Sequence, residues 1–290
     1  MRAALRLRKT SRRQVEPDGT AVKRPAQWFG VGRTETGQVR PTNQDAFAVI
    51  NECMLWVVAD GMGGHPAGDL AARMAVDSVV RGASQASAAL QQTSDHPSRP
   101  LADLLAAANR EIIEKADAQP TLRGMGTTVV AMIIGSGPIP VAHIAHLGDS
   151  RAYLYRSGTL RQLTRDHTLV EKYLQDGLIG AAEAKTHPRR HVLTRALGME
   201  PDLPPERMSI SLTSDDLLLL CSDGLTKMLA DHEIALLLSR TEGDPARACD
   251  ALIEEALNRG GEDNVTVVVC ASMPPARDGS PAIDKKVAGM

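Results

Sequence analysis

Three aspartates in this chain stand where strand-forming residues meet glycine or a turn. Trp56-Val57-Val58-Ala59 ends on Asp60, followed by Gly61, Met62, Gly63 and Gly64. Leu217 to Cys221 leads through Ser222 to Asp223-Gly224, and Asp263-Asn264 leads into Val265 to Cys270. A carboxylate at a strand end sits on a rigid edge, and a following glycine lets a backbone carbonyl approach whatever the carboxylate holds. Oxygen donors of this kind suit a hard divalent cation. Asp-Gly is also a common turn dipeptide, so one occurrence leaves both readings open. Three occurrences at the ends of buried strands point to one shared site. Gly148-Asp149-Ser150 reads, on local grounds, as a turn before it reads as a ligand position.

The elements that must position these residues follow from the hydrophobic pattern. Strands are expected over 28–33, 46–50 and 54–59 as one antiparallel meander, and over 127–134, 141–147, 152–156 and 160–163 as a second. Amphipathic helices are expected over 67–83 and 101–118, separated by a polar loop at 84–100. Residues 164–191 are polar and mixed in charge, and are expected to form a flap with short helices at 169–175 and 181–184. Strands follow at 208–212, 216–221 and 265–270. Between the last two lie a helix capped by Asp231, over 233–239, and one starting at Asp244 with Pro245 in its first position. Meanders with segregated helix pairs predict an α+β fold: two antiparallel β-sheets in a central sandwich, with helices on both outer faces.

Composition narrows the function classes. Only seven of the 290 residues are aromatic, so the core must be aliphatic. Residues 1–27 carry a balance of +6 and lack an apolar period, which predicts a disordered basic tail; the remainder sums to −8 and argues against nucleic-acid binding. Cys53, Cys221, Cys249 and Cys270 sit in apolar stretches without Cys-x-x-Cys spacing, which predicts reduced thiols in a cytoplasmic protein. Neither a membrane span nor a secretory signal is expected. Residues 28–272 are read as one domain containing the flap, and 273–290 as a disordered tail.

With these elements placed, the chain resembles the PPM (PP2C-like) family of metal-dependent protein phosphatases, bacterial branch. The resemblance rests on VRPTNQDA (39–46), VADGMGGH (58–65), GMGTTVV (124–130), HLGDSRAY (146–153), LTRDHT (163–168), LTRALG (193–198), LLLCSDGL (218–225) and GGEDNVTVV (260–268), in family order. Each is weak alone, and eight in order are specific. The resemblance implies a β-sandwich with flanking helices and a centre of two Mg²⁺ or Mn²⁺ ions, with a third in some bacterial members. It places Asp60 between the ions with the Gly61 carbonyl beside it, Asp223 and Asp263 on the second ion, and Asp149 with Asp223 on the third. Arg40 matches the arginine that grips substrate phosphate, and Asp45 acts through a metal-bound water. Two such cations make a water nucleophilic at neutral pH, so no phosphoenzyme is needed.

Rival chemistries lack their residues. Lys227 stands where Cys-x5-Arg starting at Cys221 needs arginine, and Gly-x-Ser-x-Gly, Walker-type and His-Glu-x-x-His patterns are absent. Two departures from the family pattern stand out. Met62 occupies the position of the histidine proposed as general acid in animal members, with His65 three residues on. Gln44 stands where many members have Glu. His167, His187, His191, Arg151 and Asp166 are assigned structural roles, and Thr127 and Thr128 the orientation of carboxylates. The resulting expectation is hydrolysis of phosphoserine and phosphothreonine in proteins, reversing a bacterial Ser/Thr kinase, by a monomer whose flap selects the substrate. A pseudophosphatase that binds phosphoproteins without turnover is the alternative.

Overall fold

Leu55–Asp60 and Leu217–Cys221 are buried at every position before the aspartate and at every position, respectively. Strands with no polar face must be covered on both sides, and the chain supplies a second sheet on one side and helices on the other. The computed structural model describes residues 27–62, 67–85, 98–135 and 139–273. The expected tails before residue 27 and after 273, His65, and residues 86–97 of the expected loop lie outside the described residues.

Among the described residues, ten strands form two antiparallel sheets. The first has the order β1 (Gln27–Glu35), β10 (Val265–Met273), β9 (Leu217–Cys221), β6 (Arg151–Arg156) and β7 (Thr159–Gln162). In the second, the order is β2 (Asp45–Ile50), β3 (Leu55–Asp60), β4 (Val129–Gly135), β5 (Val141–Leu147) and β8 (Glu206–Ser211). Trp28, Trp56, Val130, Ile144, Leu220 and Val268 pack in the layer between the sheets. Alternate residues point outward: Leu55 and Val57 pack under helices α1 (Gly68–Gln85) and α2 (Ser98–Ala118), with Leu105 and Ile112. On the other sheet Leu219 and Val267 pack with Ile234 of α6 (Asp231–Ser239) and Leu252 of α7 (Pro245–Asn258). The expected sandwich with helices on both outer faces is the observed fold.

Several local expectations are corrected. β1 pairs with β10 over nine residues and not with β2, and the second meander divides between sheets, β4–β5 in one and β6–β7 in the other. Local alternation marks a strand but not its partner, and closing a sandwich requires the chain to change sheets. β1 begins at Gln27, one residue inside the expected tail, and β10 reaches Met273. α6 is capped at Ala230, whose N–H donates to Glu233 Oε2 at 2.8 Å, and not by Asp231. Asp244 does cap α7, accepting from the Ala246 and Arg247 N–H groups. A short helix, α5 (Asp223–Met228), was not expected. The flap holds α3 (Leu169–Gln175) and α4 (Ala181–Thr186), as its pattern predicts.

One polar side chain ties the sheets together. Asn51 Oδ1 accepts from the Gly30 N–H at 2.8 Å and from Trp56 Nε1–H at 3.1 Å, while its Nδ2 donates to the Gly30 carbonyl at 3.1 Å. A Cβ on Gly30 would lie 2.1 Å from Trp56 Nε1, so glycine is required for this approach. Asn51→Ala leaves three polar groups without a partner, each costing roughly 1–3 kcal/mol when buried. We expect a loss of about 2–4 kcal/mol, read as a lower urea midpoint at unchanged slope.

Candidate metal centre

Five aspartates from both sheets converge at one end of the sandwich. Asp60 ends β3 and Asp45 begins β2, and the hairpin register sets them directly opposite one another. Asp149 follows β5, Asp223 opens α5 after β9, and Asp263 precedes β10. Asp60, Asp149, Asp223 and Asp263 line one cavity of about 610 Å³ together with Gly61, Gln44 and Arg40. Asp45 stands just behind, its Oδ2 accepting from Ser222 Oγ at 2.8 Å and Thr266 Oγ1 at 2.6 Å.

The backbone around each carboxylate is held by named bonds. Thr128 Oγ1 accepts from the Asp60 N–H at 3.1 Å, while Thr127 Oγ1 and the Thr128 N–H donate to the Asp60 carbonyl at 2.8 and 2.9 Å. These threonines therefore orient the Asp60 backbone and not the carboxylates as expected. The Gly61 N–H donates to the Gln44 carbonyl at 3.1 Å, and a Cβ on Gly61 would meet the Gly68 carbonyl oxygen at 2.3 Å. Gly148 adopts φ +103°, donates its N–H to His167 Nδ1 at 3.2 Å and accepts from the His167 N–H at 3.0 Å, which fixes the turn bearing Asp149.

Electrostatics mark the cluster as a cation site. Burial pushes the Asp60 carboxyl far above its ordinary range, reinforced by the charges of Asp45, Asp223 and Asp149. Asp149 is pushed up to about 8, again by burial first and then by Asp223 and Asp166. Asp45 rises to about 6 through burial, against the lowering effect of its bonds from Thr266 and Ser222. Asp45 Oδ1 and Asp223 Oδ1 are buried without a hydrogen-bond partner. Unpaired buried oxygens among mutually repelling carboxylates fit hard divalent ions, which take all-oxygen donor sets.

Two cations face this cluster. Arg40 Nε lies 2.9 Å from Asp263 Oδ1 and its Nη2 donates to Oδ2 at 3.0 Å. Lys227, which the sequence reading did not place in the site, contacts Asp223 and Asp263. Burial raises the Asp263 carboxyl, but Lys227, the Asn264 N–H and Arg40 together hold it below its ordinary value. Asn264 is the second residue missed. Its Oδ1 accepts from the Gln44 N–H at 2.9 Å and its Nδ2 donates to the Thr36 and Thr42 carbonyls at 2.8 and 3.0 Å, clamping the loop that carries Arg40. A polar side chain leading into the buried run from Val265 was the available signal.

The remaining singled-out residues divide clearly. Met62 lines the cavity, and a Cβ on Gly126 would meet its Cε at 2.2 Å. His191 also lines the cavity, at the end of the flap. His187 accepts from the Arg189 N–H at 3.1 Å, and Arg151 pairs with Asp166 at 2.7 Å, both structural as expected. His146, His167 and Glu206 form a second cluster of ligand-type groups, but their atoms are committed. The two rings stack at 4.7 Å, His167 Nε2 meets Glu206 at 3.2 Å and His146 Nε2 meets the Arg165 carbonyl at 2.9 Å. Burial keeps both imidazoles below their ordinary pKa, His167 at about 4.

Residues 34–263 match the sequence profile described as protein phosphatase 2C. The chain belongs to the protein phosphatase 2C family. The "Serine/threonine phosphatase stp" of Listeria welshimeri is 38% identical over 253 residues, 86% of this chain and 98% of that protein. "Serine/threonine phosphatase Stp1 from Staphylococcus aureus" superposes with a TM-score of 0.78 at 31% identity, covering 88% of this chain and 99% of that one. The catalytic domain of "serine threonine protein phosphatase PstP in complex with 2 Manganese ions" gives a TM-score of 0.73 at 33% identity over 85% of this chain and 99% of that one. Members of the protein phosphatase 2C family use divalent metal, as the manganese complex illustrates.

The raised carboxyls set a pH dependence with a definite sign. Each holds its proton more tightly folded than at the ordinary value of 3.8, so its contribution to stability is complete below that pH and is lost as pH rises through the folded value. That value is about 6 for Asp45 and about 8 for Asp149. Protein stripped with EDTA should therefore show a falling Tm between about pH 4 and pH 8. Saturating Mn²⁺ should flatten or reverse the trend in the same calorimetric scan.

Proposed function

We propose that this chain hydrolyses phosphoserine and phosphothreonine in proteins at the carboxylate centre, with two Mg²⁺ or Mn²⁺ ions and room for a third. As a family member with these relatives, it is a protein-serine/threonine phosphatase. The observation that carries the reading is the meeting of Asp60, Asp149, Asp223 and Asp263 with Arg40 in one cavity. Asp60 and the Gly61 carbonyl would hold one ion, and Asp60, Asp223 and Asp263 would hold the second. Asp149 with Asp223 is assigned to the third.

When bound, the ions supply Lewis acidity and a water acidic enough to attack phosphorus at neutral pH. The chain's own residues do the rest. Arg40 offers a planar guanidinium to phosphate oxygens, and Asn264 holds the loop that aims it. Asp45, with its Oδ2 fixed by Ser222 and Thr266 and its buried Oδ1 unpaired, would accept a hydrogen bond from a metal-bound water. Val192, Leu193 and Met199 give the cavity an apolar wall beside His191, so the end of the flap and the segment after it would meet the residues flanking the phosphoamino acid. Phosphoproteins are the substrates, and the cognate partner is a Ser/Thr kinase whose action this enzyme reverses. Residues 28–272 are assigned as the phosphatase domain of a monomer acting in the cytoplasm; among the described residues no helix is long and apolar enough to cross a membrane.

Phosphate release from phosphothreonine peptides should require Mn²⁺ or Mg²⁺ and stop with EDTA. Asp60→Asn and Asp223→Asn should each lower kcat by about 10²–10³-fold or more, and Arg40→Ala should raise KM by roughly tenfold or more. Metal-saturated wild type that bound the peptides and released no phosphate would replace this reading with that of a phosphoprotein-binding module.

A further inference from the structure

Helix α5 carries a cation into the carboxylate cluster. Lys227 lies one turn after Asp223, and its Nζ stands 2.6 Å from Asp223 Oδ2 and 2.7 Å from Asp263 Oδ2. This is not a loose surface pairing, since the side chains of Lys227, Asp223 and Asp263 are only 23%, 15% and 16% exposed. The helix is pinned at its start. A Cβ on Gly224 would lie 1.9 Å from the Asn264 carbonyl oxygen, and Ser222 Oγ accepts from the Thr266 N–H at 3.0 Å. The segments bearing Asp223 and Asp263 are thus pressed together, and one ammonium joins their carboxylates.

An ion bridging the same two oxygens would have to stand about 2.0–2.6 Å from each. That is the place Nζ occupies. A second arrangement is available, because Asp223 Oδ1 is buried and unpartnered. An ion taken by that oxygen would leave Lys227 where it is. The two arrangements differ in where the ammonium ends up, and the geometry favours the first: Oδ1 of Asp263 accepts from Arg40 Nε and the Asn264 N–H, and although Arg40 Nη2 also reaches Oδ2, that oxygen is the one already set beside Asp223 Oδ2 across Lys227 Nζ.

We propose that Lys227 is a built-in counterion of the centre: it holds Asp223 and Asp263 together until a divalent ion displaces it and turns its ammonium toward the cavity. The proposal rests on the assignment of Asp223 and Asp263 as metal ligands. It accounts for how two carboxylates can stay side by side before any ion arrives, and it makes ion binding a cation exchange. Binding is weakened by the two ion pairs that must break, while the ligands arrive already gathered. Lys227 lines the cavity, so the displaced side chain has space to move into.

Removing a nearby positive charge tightens cation binding wherever that charge stands, so accessibility of the amine is the deciding measurement. The EDTA-treated, dialysed full chain is acetylated with an amine-reactive ester, with and without saturating MnCl₂, and Lys227 is followed by peptide mass spectrometry. The exposed Lys115, Lys172 and Lys185 serve as internal references. Mn²⁺ is expected to speed Lys227 acetylation severalfold relative to them; an unchanged or slower rate overturns the proposal. Calorimetric titration with Mn²⁺ accompanies it. Lys227→Gln and Lys227→Met should bind one ion about tenfold or more tightly than wild type, and equal or weaker binding by folded variants also overturns it. Wild type that binds no Mn²⁺ at all would instead overturn the metal-centre reading on which the proposal stands.

Discussion

Repulsion among buried carboxylates is the constraint on which the rest of this structure depends. Asp45, Asp60, Asp149, Asp223 and Asp263 are gathered out of water at one end of a sandwich, and burial together with mutual charge drives three of them well above their ordinary pKa. Left on flexible loops, such groups would move apart. Here each is attached to a strand end or a helix start whose backbone is bonded on both sides, so the chain cannot relax the strain by moving. The cation chemistry follows from that refusal, because the remaining ways to relieve the repulsion are to hold protons or to bring in other positive charge.

The protein supplies part of that charge itself. Arg40 and Lys227 both reach Asp263, which is held below its ordinary value. Asp45, Asp60 and Asp149 have no such direct ion pair among the described residues, and all three are raised above their ordinary value. The cluster is therefore polarised, with neutralised acids on one side and unrelieved ones on the other. Arg40 and Lys227 both stand on the neutralised side.

Much of this was legible because strand ends and glycines leave local marks. Asp60, Asp223 and Asp263 each follow or precede a run of buried aliphatics, and that pattern survives in any fold that buries the strands. The position of Asp45 opposite Asp60 was not legible, since the expected strand bounds at Ile50 and Met54 count back to Ala59, and the observed register starts from Leu55 instead. What else stayed hidden depends on contacts distant in the chain. The pairing of β1 with β10 joins segments more than two hundred residues apart, and no local periodicity encodes it. Lys227 is spaced one turn from an acid, which is how ordinary solvated helix pairs look, and only the packing of Gly224 against Asn264 turns it inward. Thr127 and Thr128 were recognised as belonging near the site, yet their oxygens bind backbone, a distinction that residue type does not carry.

The five acids also belong to different sheets: Asp45 and Asp60 to one, Asp223 and Asp263 to the end of the other, with Asp149 in the turn that crosses between them. The span between the two groups is therefore set by the apolar layer around Trp56, Met132 and Leu220 that keeps the sheets apart. That layer works as a spacer gauge as well as a core. A side chain swapped there for a thicker or thinner one acts on the active centre as a calibration error, even where the fold tolerates the change.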